Sequence, residues 1–225
     1  MFRDSIAANG WRGFKEQVSE TAAEFAALPV SQTTKPKVGI VGEILVKYHS
    51  GANERLIDII ESEGGEAVLT DLASFLLYCL YDPVYTNKEL SGSLIARFAG
   101  QIGIAALEFL RRPVRQTLSR FGFGGIHDIY SLARMASDVV SCANQAGEGW
   151  LLTAEMMSLL ESGIKNIICI QPFACLPNHI TGKGAAKELK RRYDGANILA
   201  LDYDSSASSV NQMNRIRLLM ATARG

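Results

Sequence analysis

The string Gln171-Pro172-Phe173-Ala174-Cys175-Leu176-Pro177-Asn178-His179 sets one thiol between two prolines, and helix-forming sequence begins at Asn178. A thiolate held near a helix N-terminus is stabilised by the dipole and by free N–H groups, which suits nucleophilic attack or metal ligation. A small buried thiol is the plain alternative at equal weight. A Cys175 nucleophile with His179 as its base is weaker, because residues four apart at a helix start share a face without meeting in hydrogen-bond geometry. A second polar string, Asn144-Gln145-Ala146-Gly147-Glu148-Gly149-Trp150, flanks a carboxylate with two glycines. Glu148 reads there either as a functional acid or as part of a capping loop around a packing tryptophan. Cys-x-x-Cys, His-Glu-x-x-His and Gly-x-Ser-x-Gly are all absent.

Strands must position these groups. Residues 37–42, Lys-Val-Gly-Ile-Val-Gly, are short, β-branched and apolar, as in a strand buried on both faces of a parallel sheet. A helix over 54–63, closed by Gly64-Gly65, and a strand over 66–70 complete one βαβ unit. Residues 72–126 read as a helical insertion broken at Pro83, Pro113 and Gly122-Phe123-Gly124-Gly125. Helical periodicity returns over 126–140 and 151–161. Strands follow over 166–170 and 197–201, leading to helices over 182–193 and 208–223. Residues 1–36 form a helical lead-in, with a helix over 13–28, and a polar linker. The alternation predicts an α/β fold over 37–225: a Rossmann-like three-layer domain with a mostly parallel sheet of about four strands.

Ligands of such sheets bind beyond the carboxyl ends of the strands. Glu43, Asp71, the Pro172–Cys175 stretch and Tyr203-Asp204 follow the four strands and are the groups expected to converge. Gly39-Ile40-Val41-Gly42-Glu43 lacks the third glycine of a dinucleotide fingerprint, which excludes a nicotinamide site. The serines of Ser205-Ser206-Ala207-Ser208-Ser209 offer either an anion seat or an ordinary helix cap. Cys169, inside an apolar run, is expected in the core.

Lys plus Arg equals Asp plus Glu at 23 each, so no global field draws the chain to nucleic acid or an anionic membrane. The basic strings at 111–115 and 187–192 read as solvated helix faces. No apolar run approaches the roughly 20 residues a bilayer requires, and the N-terminus carries no signal-peptide pattern, so a cytoplasmic location is expected. The four cysteines are irregularly spaced, unlike a disulfide scaffold.

Three strings carry a resemblance: Gly147-Glu148-Gly149-Trp150; the run from Gln171 through Cys175 to Ile180; and Asp202-Tyr203-Asp204 with Asn211-Gln212-Met213-Asn214-Arg215. They resemble the C-terminal part of the 2-hydroxyacyl-CoA dehydratase-related proteins, the family of the CoA-substrate-specific enzyme activases. The resemblance runs from about residue 37 to 223 and is most specific around Cys175. It implies Rossmann-like domains and a [4Fe–4S] iron–sulfur cluster held by cysteines from more than one domain. Cys175 would be a ligand and Cys142 a second contributor. Gln171, Pro172, Asn178 and Asp204 would line the cofactor, and Glu148 would be the catalytic acid of the same cleft. Nothing here matches the phosphate loops of the family's actin-like, ATP-hydrolysing half, so the chain resembles a fragment or split subunit that is not active alone.

The expected partners are the other dehydratase or activase domains and an acyl-CoA. The expected chemistry is low-potential electron transfer or radical dehydration of a 2-hydroxyacyl-CoA. Two departures stand out: Ala174 occupies a position where glycine is expected, and the other ligand-bearing domains are not in this chain. The rival reading is a cofactor-free scaffold domain whose polar loops cap helices and dock a partner subunit.

Overall fold

The computed structural model describes residues 2–30, 33–124, 126–204 and 209–224. Strand β1 (Lys37–Gly42) is buried from its second residue onward, as a strand with neighbours on both sides and layers on both faces must be. It pairs in parallel with β2 (Glu66–Leu69) and with β3 (Asn166–Pro172), and β3 pairs in parallel with β4 (Asn197–Tyr203). The order is β2-β1-β3-β4. Helices α3 (Leu56–Ser62) and α10 (Ser209–Arg224) cover one face, packing Leu56, Ile60 and Leu219 on Val38, Ile40 and Ile168. Helices α7 (Gly149–Glu161) and α9 (Ala186–Arg192) cover the other, packing Leu152, Met156 and Leu189 on Val41, Ile167 and Cys169. Each such fully buried aliphatic side chain contributes about 1.5–3 kcal/mol relative to exposure. The Rossmann-like three-layer architecture expected from the strand and helix patterns is the one that forms.

The chain leaves β1 for β2 across one face and leaves β3 for β4 across the other. The strand order therefore reverses between β1 and β3, where open α/β sheets place their ligands. Between β2 and β3 lie α4 (Leu72–Glu89), α5 (Leu94–Arg120), α6 (Ile129–Ser137) and α7. These build a second core of Leu77, Tyr78, Ile104, Leu132 and Trp150. The Trp150 ring meets Tyr78 and Tyr81 edge-on, at 5.2 and 5.4 Å between centroids. Helix α1 (Phe2–Ala26) lies against α5, with Trp11 stacked on Phe109. Among the described residues no helix is long and apolar enough to cross a membrane.

Several boundaries differ from the sequence expectation. Pro83 and Pro113 do not break their helices; both sit inside continuous ones. Each removes one backbone donor, but α4 and α5 pack so closely, with Gly100 against the Leu80 carbonyl, that continuing the helix wins. The break falls at residues 90–93, where Ser91 takes a left-handed conformation (φ 68°) and Ser93 caps α5. A one-turn helix, α2 (Ile44–Tyr48), replaces the expected loop after β1, because the Glu43 carboxylate accepts the Leu45 and Val46 N–H groups at 3.1 and 2.8 Å. Strands β3 and β4 each run two residues further than the apolar pattern does, so Gln171, Pro172 and Tyr203 are strand residues. The helix expected over 182–193 is α9 alone, preceded by α8 (Leu176–Asn178) and a single π-helical turn over His179–Lys183.

Candidate functional site at the carboxyl edge of the sheet

Cys175 stands at the carboxyl end of β3, partly exposed, and caps α8 from an extended backbone. Its N–H donates to the Pro172 carbonyl at 3.1 Å, and the preceding residue, Ala174, has φ 60°. An L-residue pays about 1–2 kcal/mol in that left-handed region, which glycine enters freely. Replacing Ala174 by Gly should therefore stabilise the chain by about 1 kcal/mol in denaturant titrations. An unchanged midpoint would mean that the turn relaxes without cost.

Beneath the loop two fully buried amides fix its ends. Gln171 donates through Nε2 to the Asp202 carboxylate, while its Oε1 has no partner among the described residues. Lys183 Nζ approaches the same carboxylate at 3.5 Å. His179 Nδ1 lies 2.9 Å from the Cys175 carbonyl oxygen, an acceptor, and 3.1 Å from Gln171 Nε2, a donor. Nε2 faces Asp202 at 3.9 Å. The imidazole thus holds the backbone of Cys175. Among the described residues it contacts that carbonyl, Gln171 and Asp202 rather than the thiol. Asp204, just past β4, is half-buried at the same edge. The string 205–208 lies outside the described residues.

The other buried amide, Asn178, donates to Glu148 Oε2 at 2.9 Å and accepts the Glu43 N–H at 3.1 Å. Glu148 Oε1 accepts the Ile44 N–H at 3.0 Å. Both oxygens of this buried carboxylate are therefore spent within the fold, tying the start of α7 to the β1–α2 turn and to the Cys175 loop. Of the two flanking glycines, Gly147 takes a left-handed backbone (φ 60°), and Gly149 is fixed by crowding as well. Gly149 (φ 46°) lies where a Cβ would run into the Asn144 carbonyl and the Tyr78 hydroxyl. Gly42 (φ 146°) passes so close to the Ile170 carbonyl that no side chain fits.

Two residues that the sequence did not single out form a deeply buried charge pair. Lys47 Nζ lies 3.2 and 3.3 Å from the two Glu155 oxygens and donates to Thr70 Oγ1 at 2.9 Å. Both side chains are shielded from solvent. Burial raises the Glu155 pKa above the ordinary carboxylate value, and the Lys47 charge acts against it. Glu155 also lines a cavity of about 320 Å³ between β2, α7 and the end of α5, beside Thr70 and Asp71. Asp71 itself caps α4 through the Ser74 N–H at 2.8 Å and pairs with Arg111 at 3.1 Å. The available signal for Glu155 is a lone charge in the otherwise uncharged stretch Leu151 to Leu160.

The cysteines divide by environment. Cys142 is buried in the helical core, hydrogen-bonded with Ser137 and the Ala133 carbonyl, and burial raises its thiol pKa. Burial pushes the Cys169 thiol up to about 12. Cys79 is exposed. Among the described residues no group of three or more His, Cys, Asp or Glu side chains could hold a metal ion. The described residues alone do not compose an iron–sulfur site; what they offer at the sheet edge is one accessible thiol. A small neutral alkylating reagent should modify Cys79 and Cys175 in the folded chain and spare Cys142 and Cys169 until denaturation, as read by mass spectrometry. Equal labelling of Cys142 and Cys175 would mean that the helical core opens.

The chain matches no family model, no curated protein and no solved structure in the comparisons made.

Proposed function

We propose that this chain is one component of a shared site of the 2-hydroxyacyl-CoA dehydratase-related type, and that it offers Cys175 as a ligand to an iron–sulfur group completed by a partner domain. The observation that carries this reading is the rim around the thiol. Phe173, Leu176 and Ile180 are 50 to 69% exposed, and they bracket a cysteine fixed from below by buried Gln171 and Asn178. A rigid thiol in an apolar collar gains from a covering surface, which removes the collar from water and excludes solvent from whatever the sulfur binds. The partner that fits is a domain bringing the remaining thiolates, since a cluster needs more ligands than this edge supplies.

On this reading Glu148, Asn178, Gln171 and His179 are positioning residues, and Glu148 holds the loop rather than moving a proton. The test is anaerobic isolation of the tagged chain from its own cells, with iron and visible absorption measured on what is recovered. Iron should accompany the parent. It should be lost with partner retained in Cys175→Ser, and lost together with the partner in the Phe173→Ser, Leu176→Ser variant. A partner without iron would favour a cofactor-free docking domain, and iron retained in Cys175→Ser would sink the ligand assignment.

A further inference from the structure

Helix α7 is buried nearly all round, and before its last residue it carries three polar side chains, Thr153, Glu155 and Ser158. Thr153 donates to the Thr181 carbonyl. Glu155 and Ser158, with Leu159 and Ser162, lie at i, i+3, i+4 and i+7, so they share one face, and all four line the 320 Å³ cavity beside β2. The Ser158 hydroxyl and the imidazole of His127, which also lines it, form no hydrogen bond among the described residues. Val68, Leu118, Leu132 and Ile164 give the cavity apolar walls. Interiors pack with few voids larger than a water, and this one has the volume of about ten. An apolar hollow on which a few polar groups gather is the form that small-molecule sites take.

The charges on this cavity are already balanced: Lys47 pairs with Glu155 and Arg111 with Asp71. None of the lining residues is a lysine or arginine, so an anion would meet two carboxylates and no free partner. A cation would meet carboxylates that already hold their counter-charges. What the two carboxylates still offer is acceptor capacity. Asp71 accepts from the Ser74 N–H, the Ser74 hydroxyl and Arg111. Glu155 accepts from Lys47 on both oxygens and from the Thr70 hydroxyl. Each is one short of the roughly four bonds a carboxylate takes. We propose that this cavity is a small-molecule site separate from the Cys175 edge. Its ligand is a neutral apolar molecule of about ten non-hydrogen atoms, a ring or branched chain, whose hydroxyl donates to Glu155 or Asp71 at the end of β2.

The test uses the full, iron-free chain carrying Cys175→Ser, which keeps its outcome separate from the ligand assignment of Cys175. Titration with p-cresol, followed by NMR of labelled methyl groups, should give saturable shifts at Leu118, Leu132, Leu159 and Ile164. Toluene, which lacks only the hydroxyl, should bind at least ~tenfold more weakly, because its binding leaves the carboxylate without the added donor. The anion 4-methylbenzoate and the cation of 4-methylbenzylamine should both bind more weakly than p-cresol. Ser158→Phe fills the hollow and should abolish binding with an unchanged circular dichroism spectrum. Where that variant does not fold, intermolecular NOEs from p-cresol to the same methyls of the Cys175→Ser chain decide the site, and their absence would overturn it. No saturable shift, toluene as tight as p-cresol, either ion tighter than p-cresol, or binding retained in a folded Ser158→Phe chain would each overturn the proposal.

Discussion

Replacing Lys47 by Met should cost the fold about 3–5 kcal/mol, the penalty for leaving a buried carboxylate without its counter-charge. Lys47 and Glu155 come from α2 and α7 and meet under the carboxyl ends of β1 and β2, with Thr70 taking a third hydrogen bond. Urea denaturation checks the magnitude. The double variant Lys47→Met, Glu155→Leu should recover most of the loss, because two apolar side chains of similar volume remove both desolvation penalties at once. The pH dependence has a definite sign. Burial raises the folded-state pKa of Glu155 above its unfolded value, so the folded chain holds this proton more tightly than the unfolded chain. The stability attached to that proton is complete below the ordinary carboxylate range and is lost as pH rises through the raised folded value. Removing Lys47 removes the group that holds the pKa down, so the variant should lose more stability over the same rise. A Lys47→Met variant as stable as the parent at neutral pH would show that the pair is hydrated in solution.

The second large effect is expected at Glu148. Glu148→Ala strips the Ile44 N–H and the Asn178 amide of a buried, charged acceptor, a loss of about 3 kcal/mol. Glu148→Gln keeps one acceptor oxygen and should cost about 1 kcal/mol. The change should also be felt at the neighbouring loop. With Asn178 released, Cys175 should alkylate faster in Glu148→Ala than in the parent, and by a larger factor than Cys79, whose thiol pKa the Glu148 charge also holds up. A stable Glu148→Ala chain with unaltered Cys175 reactivity would remove Glu148 from the positioning set and return it to the list of candidate acids.

How much of this was legible in the residues depended on the range of the interaction. β1 declares itself because every position after Lys37 is buried and the string is uninterrupted. The ends of β3 and β4 hide because Gln171 and Asp202 break the apolar run while their backbones continue the ladder; their polar side chains feed the network under Cys175. The short helix α2 is below the length at which periodicity can be seen, although Glu43 as its cap is a local signal. Pro83 and Pro113 mislead for the opposite reason: their local rule is overridden by packing between α4 and α5. Lys47 and Glu155 are 108 residues apart, and only the strand order brings them together. The Cys175 loop could be picked out from its prolines and its helix start. That Glu148 is turned inward toward Ile44 and Asn178, and that Phe173 and Leu176 are turned outward, depends on the fold.

The shared-site proposal is tested most directly by the reactivity of one sulfur. In the anaerobically isolated complex, Cys175 alkylation would be timed before and after removal of iron with a chelator, with exposed Cys79 as the internal reference. Ligation predicts that Cys175 reacts at least ~tenfold more slowly while iron is present and recovers the rate of the free chain once it is gone. The same rate before and after chelation would contradict the assignment of Cys175 as a ligand.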